Sequence, residues 1–130
     1  MDPSFPVSTI GLIGDDPDGR VLIEEADTAG VERSGLIVVK GGRTPHTDAF
    51  TSAVSGHRTH FYLSGVADEL VPDHFDFSQV QARILHLGLP GAHKKLDTPV
   101  GNDANGWVTI LKKAKAAGLA TNMELCSIPA

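Results

Sequence analysis

Hydrophobic and polar positions fall into short blocks along this chain, and the blocks switch between strand-like and helix-like spacing. Val7 to Gly14 is a compact apolar run that predicts a strand. It passes into Asp15-Asp16-Pro17-Asp18-Gly19, a turn whose carboxylates can cap a following helix. In that helix Val21, Leu22, Ile23, Ala26 and Ala29 share one face, with Arg20, Glu24, Glu25 and Asp27 opposite, and Gly30 supplies a C-terminal stop. Leu36 to Val39 predicts a second short strand, closed by Lys40-Gly41-Gly42. Together these blocks describe a strand-to-helix-to-strand joint of an α/β protein, and open α/β sheets place ligands at the carboxyl ends of such strands. The first place to look for a site is therefore Gly14 to Gly19.

The simple alternation then breaks. Thr47 to Ser55 and Arg58 to Leu63 are two β-rich runs joined by Ser55-Gly56-His57, the pattern of an antiparallel hairpin. Gly65 to Leu70 has room for one helical turn. Phe75, Phe77, Val80 and Ile84 are candidate core anchors, and Ile84 to Leu87 reads as another central strand, followed by a turn at Gly88-Leu89-Pro90-Gly91. Trp107, Ile110, Leu111 and Ala114 are spaced for one face of a second helix over Trp107 to Ala117, with Lys112, Lys113 and Lys115 mostly off it. Gly118 ends that helix, and Leu119 to Leu125 predicts the next parallel strand. No internal repeat or linker divides the chain, so residues 1–130 are expected to form one domain.

Charge and composition narrow the function classes. The chain has 130 residues, with 11 Lys and Arg against 16 Asp and Glu and a net charge of -5, which gives no electrostatic basis for binding nucleic acid or an anionic membrane. No apolar run approaches the roughly 20 residues that span a bilayer, and Met1 to Pro6 lacks the basic and apolar parts of a signal peptide. The lone Cys126 excludes an internal disulfide and a thiolate zinc site; a reducing, cytoplasmic setting is expected. Of the six histidines, His57 and His60 are the closest pair, but residues three apart on a strand face opposite ways, so no metal site is expected.

Individual residues admit more than one role. One of Asp15 and Asp16 can cap the helix while the other meets water, or a carboxylate at the strand end can shape a ligand pocket. Arg58 can offer its planar fork of donors to an acidic ligand or remain solvated. His86, inside an apolar strand, is expected to be a hydrogen-bonded buried side chain, Trp107 a core anchor and Cys126 a small buried strand-end residue. An acidic pair at a strand end also occurs in receiver-type signalling domains, but the later strands lack the aspartate and lysine such a site needs, and the hairpin is foreign to it.

The ordered motifs resemble those of the ribokinase, or PfkB, family of carbohydrate kinases. The matching residues are Ile13-Gly14-Asp15-Asp16 with Gly19, Gly30-Val31, Thr47 opening a hairpin, Gly56-His57-Arg58, Gly65-Val66-Ala67-Asp68-Glu69-Leu70, Arg83 to Gly88, and Ala114 to Leu119. The resemblance implies a three-layer, Rossmann-like (ribokinase-like) α/β fold with a mainly parallel sheet from Val7, Leu36, Ile84 and Leu119. It also implies a protruding β-hairpin lid over about residues 47–63. In the family this lid covers a sugar and often forms a dimer contact, so Thr47, Ala49, Phe61 and Leu63, together with Asp16 and Arg58, are the candidate substrate-binding residues.

The family's transferase activity further implies ATP and Mg, and its Gly-x-Gly-Asp motif holds phosphate and supplies the base. No Gly-x-Gly occurs in this chain. The chain is expected to be a truncated segment with no catalytic residue and no cofactor-binding residue of its own, inactive alone. The alternative is a non-catalytic sugar-binding or oligomerisation module derived from the same fold. A glutamate that contacts ribose in ribokinases has no counterpart near Leu89 and Pro90, which weakens ribose as the ligand. Apolar helix faces left uncovered predict a homo-oligomer or poor solubility.

Overall fold

The computed structural model describes residues 5–78 and 80–125, so the expectation for Cys126 lies outside the described residues. Strand β1 (Ser8–Gly14) leads through a tight turn into helix α1 (Pro17–Ala29), which returns to β2 (Glu32–Val39). The antiparallel strands β3 (His46–Thr51) and β4 (Arg58–Leu63) follow, then two 3-10 turns at Gly65–Glu69 and Pro72–His74. Strand β5 (Ile84–Leu87), helix α2 (Gly106–Ala116) and β6 (Ala120–Met123) complete the order.

Both helices start and stop where their chemistry directs. At α1 the Asp16 side chain accepts a hydrogen bond from the Gly19 N–H, Pro17 occupies the first turn, and Gly30 closes the helix at φ 70°, a conformation that a side chain would oppose. At α2 Asn105 caps the Val108 N–H, and Trp107, Ile110 and Ala114 are buried on the inner face. Trp107 is 2% exposed and is the core anchor its spacing predicted.

Strand β1 pairs with β2 in parallel, Gly11 opposite Leu36 and Gly14 opposite Val39, and β5 pairs with β6 in parallel, Ile84 opposite Ala120. The two pairs and the hairpin are three separate two-stranded sheets among the described residues, rather than one mainly parallel sheet. Side-chain packing unites the two pairs. Leu12 of β1, Leu87 of β5, Val66, Leu70, Phe75, Phe77, Leu96, Trp107, Ile110, Ala114 and Leu119 form a single buried cluster.

Three local expectations need correction. β2 begins at Glu32, four residues before the apolar run, because its pairing with β1 continues through polar residues on an exposed edge. β3 stops at Thr51 rather than Ser55: the Ser52 and Ser55 hydroxyls accept backbone N–H bonds from Ser55 and His57 and draw the chain into a turn. His86 is exposed, not buried, since it points away from the core side of β5 that carries Leu85 and Leu87; it bonds Asn122 at 3.0 Å and lies 3.8 Å from Glu124.

The apolar stripe of α1 is only partly covered. Val21 and Leu22 are exposed, as are Ile37 and Val38 on β2, Ile84 on β5 and Phe50, Phe61 and Tyr62 on the hairpin. No helix among the described residues is long and apolar enough to cross a membrane.

Candidate functional site

The carboxyl ends of β1 and β2 meet at a knot of hydrogen bonds. Asp16 Oδ1 accepts from the Gly19 N–H at 3.0 Å and from the Thr44 hydroxyl at 2.6 Å, and its Oδ2 accepts from the Thr44 N–H at 2.8 Å. The Thr44 oxygen in turn accepts the Gly14 N–H at 2.9 Å. Thr44 is 1% exposed. The Thr44 hydroxyl, then its N–H, then the Gly19 N–H hold the Asp16 carboxyl down to about 2, from an ordinary 3.8. Beside it Asp15 accepts the Gly41 N–H at 2.8 Å. Asp16 thus caps the helix as expected and also grips a segment 28 residues further on. Its two oxygens are committed to donors within the chain.

That second segment leads straight into the hairpin. The outgoing root at Gly65 and Val66 returns to the same place, where the Val66 N–H donates to the Arg43 carbonyl at 2.9 Å. Register decides what each face of the hairpin presents, because directly opposite residues project to the same side. Thr47 lies opposite Tyr62, Ala49 opposite His60 and Thr51 opposite Arg58. The other face carries Asp48 opposite Phe61, Phe50 opposite Thr59 and His46 opposite Leu63. Of the sequence candidates, Thr47, Ala49 and Arg58 therefore share one face, while Phe61 and Leu63 lie on the reverse. Phe61 packs edge-on against Phe50 there, with ring centroids 5.6 Å apart.

The face bearing Thr47 and Ala49 turns toward the loop that follows β5. The Tyr62 hydroxyl donates to the Ala92 carbonyl at 3.3 Å, and partial burial raises its pKa above the ordinary 10.0. The loop itself is stapled from several directions. Asp97 accepts the Gly91 and His93 N–H groups and the Trp107 indole N–H, the last at 2.7 Å. Asp68, in the 3-10 turn after the hairpin, accepts the Ser64 hydroxyl at 2.8 Å and the Lys94 N–H at 3.2 Å, and Lys95 pairs with Glu69. The Ser64 hydroxyl and the Lys94 N–H, in that order, lower the Asp68 pKa. Hydrogen bonds thus root the hairpin beside the strand ends at Gly14 and Val39 and tie its face carrying Thr47, Ala49 and Tyr62 to the loop from Gly88 to Lys95.

Thr44, Tyr62, Asp68 and Asp97 are the members that sequence reasoning missed. Thr44 carried a faint signal, a lone hydroxyl between Gly41-Gly42 and Pro45, and Tyr62 becomes readable once the hairpin register is known. The carbonyl of Ala92 has no side-chain signature at all.

These residues do not fit the phosphates of ATP. The first N–H groups of α1 face Asp16, whose negative charge opposes an anion, and the start of α2 is capped by Asn105. No group of three or more His, Cys, Asp or Glu among the described residues can hold a metal ion. A separate shallow cleft of about 520 Å³, lined by Asp73, Phe75, Asp76, Phe77 and Lys113, lies near the last turn of α2. Because α2 leads directly into β6, that cleft sits at the amino end of β6, opposite the strand ends described above.

No model of a known protein family matches the sequence, and no curated protein sequence does either. Solved structures do match the fold. A PfkB protein from a Polaromonas species superposes with a TM-score of 0.75 at 16% identity, over 97% of this chain and 42% of its own. Ribokinase from Giardia lamblia gives 0.71 at 18% identity, over 95% and 36%. Adenosine kinase from Sinorhizobium meliloti gives 0.69 at 21% identity, over 91% and 34%. The chain spans roughly two fifths or less of the length of these structures. Over 91–97% of its length the chain has a ribokinase-like α/β fold.

Proposed function

We propose that this chain is the acceptor-binding part of a ribokinase-family kinase, holding a sugar or nucleoside between the hairpin and the carboxyl ends of the parallel strands. On this reading its two strand pairs belong to one three-layer sandwich, the hairpin is the lid, and the setting is cytoplasmic. The observation that carries the proposal is the rooting of the hairpin. Thr44 and Val66 fix both its ends beside β1, and Tyr62 turns one face onto the loop after β5, where open α/β proteins bind ligands. Thr47 and Ala49 line the acceptor side, and Arg58, further out on the same face, suits an acidic substituent on the ligand. Phe61 and Leu63, on the reverse face, do not touch the acceptor, and Asp16 acts through Thr44.

Phosphoryl transfer rests on positioning and charge stabilisation, and the groups that would hold ATP and Mg are not among these residues. The 130-residue chain alone therefore binds acceptor without transferring phosphate. The test is paired: calorimetric titration with D-ribose, D-fructose and adenosine, and an assay for phosphate transfer from MgATP to each. Binding without transfer supports the proposal. Transfer above the enzyme-free blank refutes the inactivity, and no binding to any of the three refutes the acceptor reading.

The exposed Phe50 and Phe61 pair favours a second role for the reverse face, self-association of two hairpins, since both rings are more than 60% exposed.

A further inference from the structure

We propose that Thr44 is the positioning residue of the hairpin, a latch through which the Asp16 turn sets the angle at which the hairpin stands over the strand ends. The inference rests on the acceptor-cover reading for its purpose but not for its test. Three observations converge on it. First, the hairpin has little else to hold it: every residue of β3 and β4 except His46 is exposed, and its reach to the body includes one tyrosine hydroxyl and the loose approach of His46 to Asp18 at 3.7 Å. Its orientation is set at its roots.

Second, the incoming root is gripped from two elements at once. Thr44 bonds Asp16 at the start of α1 through both its hydroxyl and its N–H, and bonds Gly14 at the end of β1 through the same hydroxyl oxygen. A valine has the same shape and makes neither hydroxyl bond.

Third, the root segment has no room to slide. A Cβ placed on Gly14 would lie 2.4 Å from the Gly42 carbonyl oxygen and 2.8 Å from the Thr44 nitrogen, and one on Gly65 would lie 2.2 Å from the Arg43 carbonyl oxygen. Backbone touches backbone on both sides of Arg43 and Thr44. A cover pre-set in this way pays less ordering entropy when a ligand arrives, which is the functional gain from a buried polar latch at the base of an exposed ribbon.

The experiment measures hairpin orientation directly. Val54, 98% exposed at the hairpin tip, is replaced by cysteine and labelled with an energy-transfer acceptor in a Cys126→Ser background. Trp107, the single tryptophan, is the native donor. Time-resolved transfer gives the distribution of distances from tip to core. Thr44→Val is expected to widen and shift this distribution, while Thr44→Ser, which restores the hydroxyl, keeps that of the parent. Asp16→Ser, which can still cap Gly19 but is too short to reach Thr44, is a second route to the same widening should Thr44→Val fail to fold. An unchanged distribution in a folded Thr44→Val or Asp16→Ser protein overturns the latch. A widened distribution in a protein that binds none of the three acceptors keeps the latch and removes the acceptor reading, so the two failures are distinguishable.

Discussion

Gly19→Ala sets two effects of opposite sign against each other within one turn of helix. Helix propensity favours alanine over glycine by up to about 1 kcal/mol, and a surface helix would be stabilised by the change. The surroundings of Gly19 reverse that expectation. An added Cβ would stand 2.2 Å from the Gly14 carbonyl oxygen and 2.9 Å from the Thr44 hydroxyl oxygen. Ordinary van der Waals contact begins more than an ångström beyond the first of these, and the obstacle is strand backbone rather than a side chain that can rotate away. Relief requires α1 to lift from the end of β1, which stretches the Asp16 and Thr44 bonds. Overpacking of this kind costs about 1–3 kcal/mol, and the loss of hydrogen bonds on the buried Thr44 adds about 1 kcal/mol or more. After subtracting the propensity gain, the net expectation is a loss of about 2 kcal/mol, or about 8 °C in Tm for a domain of this size.

Gly30→Ala, at the other end of the helix, is the control. Nothing lies within 4 Å of its added Cβ, but its φ of 70° is unfavourable for alanine, and the cost is about 1 kcal/mol from backbone conformation alone. Urea unfolding followed by Trp107 fluorescence and far-UV circular dichroism measures both. A Gly19→Ala protein as stable as the parent, or more stable, would refute the close packing of α1, β1 and the Thr44 segment.

Ile110→Ala, at a position with 0% exposure in the cluster shared by the two strand pairs, is expected to lose about 2–5 kcal/mol, with fluorescence and circular dichroism transitions remaining coincident; separated transitions would show that the pairs do not share a core. Because Asp16 titrates at about 2 when folded and near 3.8 when unfolded, its contribution is full above about pH 4 and drains away as the pH falls toward 2. Asp16→Asn is therefore expected to be less stable than the parent at neutral pH, with the difference shrinking in acid; a constant difference from pH 7 to about 2 would contradict the assignment. The double variant Phe50→Ser, Phe61→Ser is expected to lower the sedimentation-average mass without changing acceptor binding, and loss of binding would place the ligand on the wrong face.

Local chemistry was legible where a residue acts on its sequence neighbours. Asp16 and Gly30 bracket α1, Gly118 follows the end of α2, and Ile84 to Leu87 is the strand its apolar run announces, because caps and periodicity operate within a few residues. Legibility failed where a partner strand or a remote segment decides. β2 extends through Glu32, Arg33 and Ser34 because β1 supplies pairing partners, and no apolar pattern marks that. The set Thr47, Ala49, Phe61 and Leu63 looked like one surface in a linear reading, yet the antiparallel register divides it between two faces, which only the pairing partner of each residue can reveal. Thr44 was missed for the same reason: its two partners, Gly14 and Asp16, lie 30 and 28 residues earlier and meet it only in the folded chain.

The most direct test of where an acceptor sits is a titration of the isotopically labelled chain with D-ribose, D-fructose and adenosine, followed by backbone amide chemical shifts. Saturable shifts confined to Gly14 to Asp16, Thr47, Ala49, Tyr62 and the loop from Gly88 to Lys95 are the predicted result. Shifts concentrated on Phe50 and Phe61, or on the cleft beside Lys113, or no saturable shift with any of the three, would contradict an acceptor site between the hairpin and the strand ends.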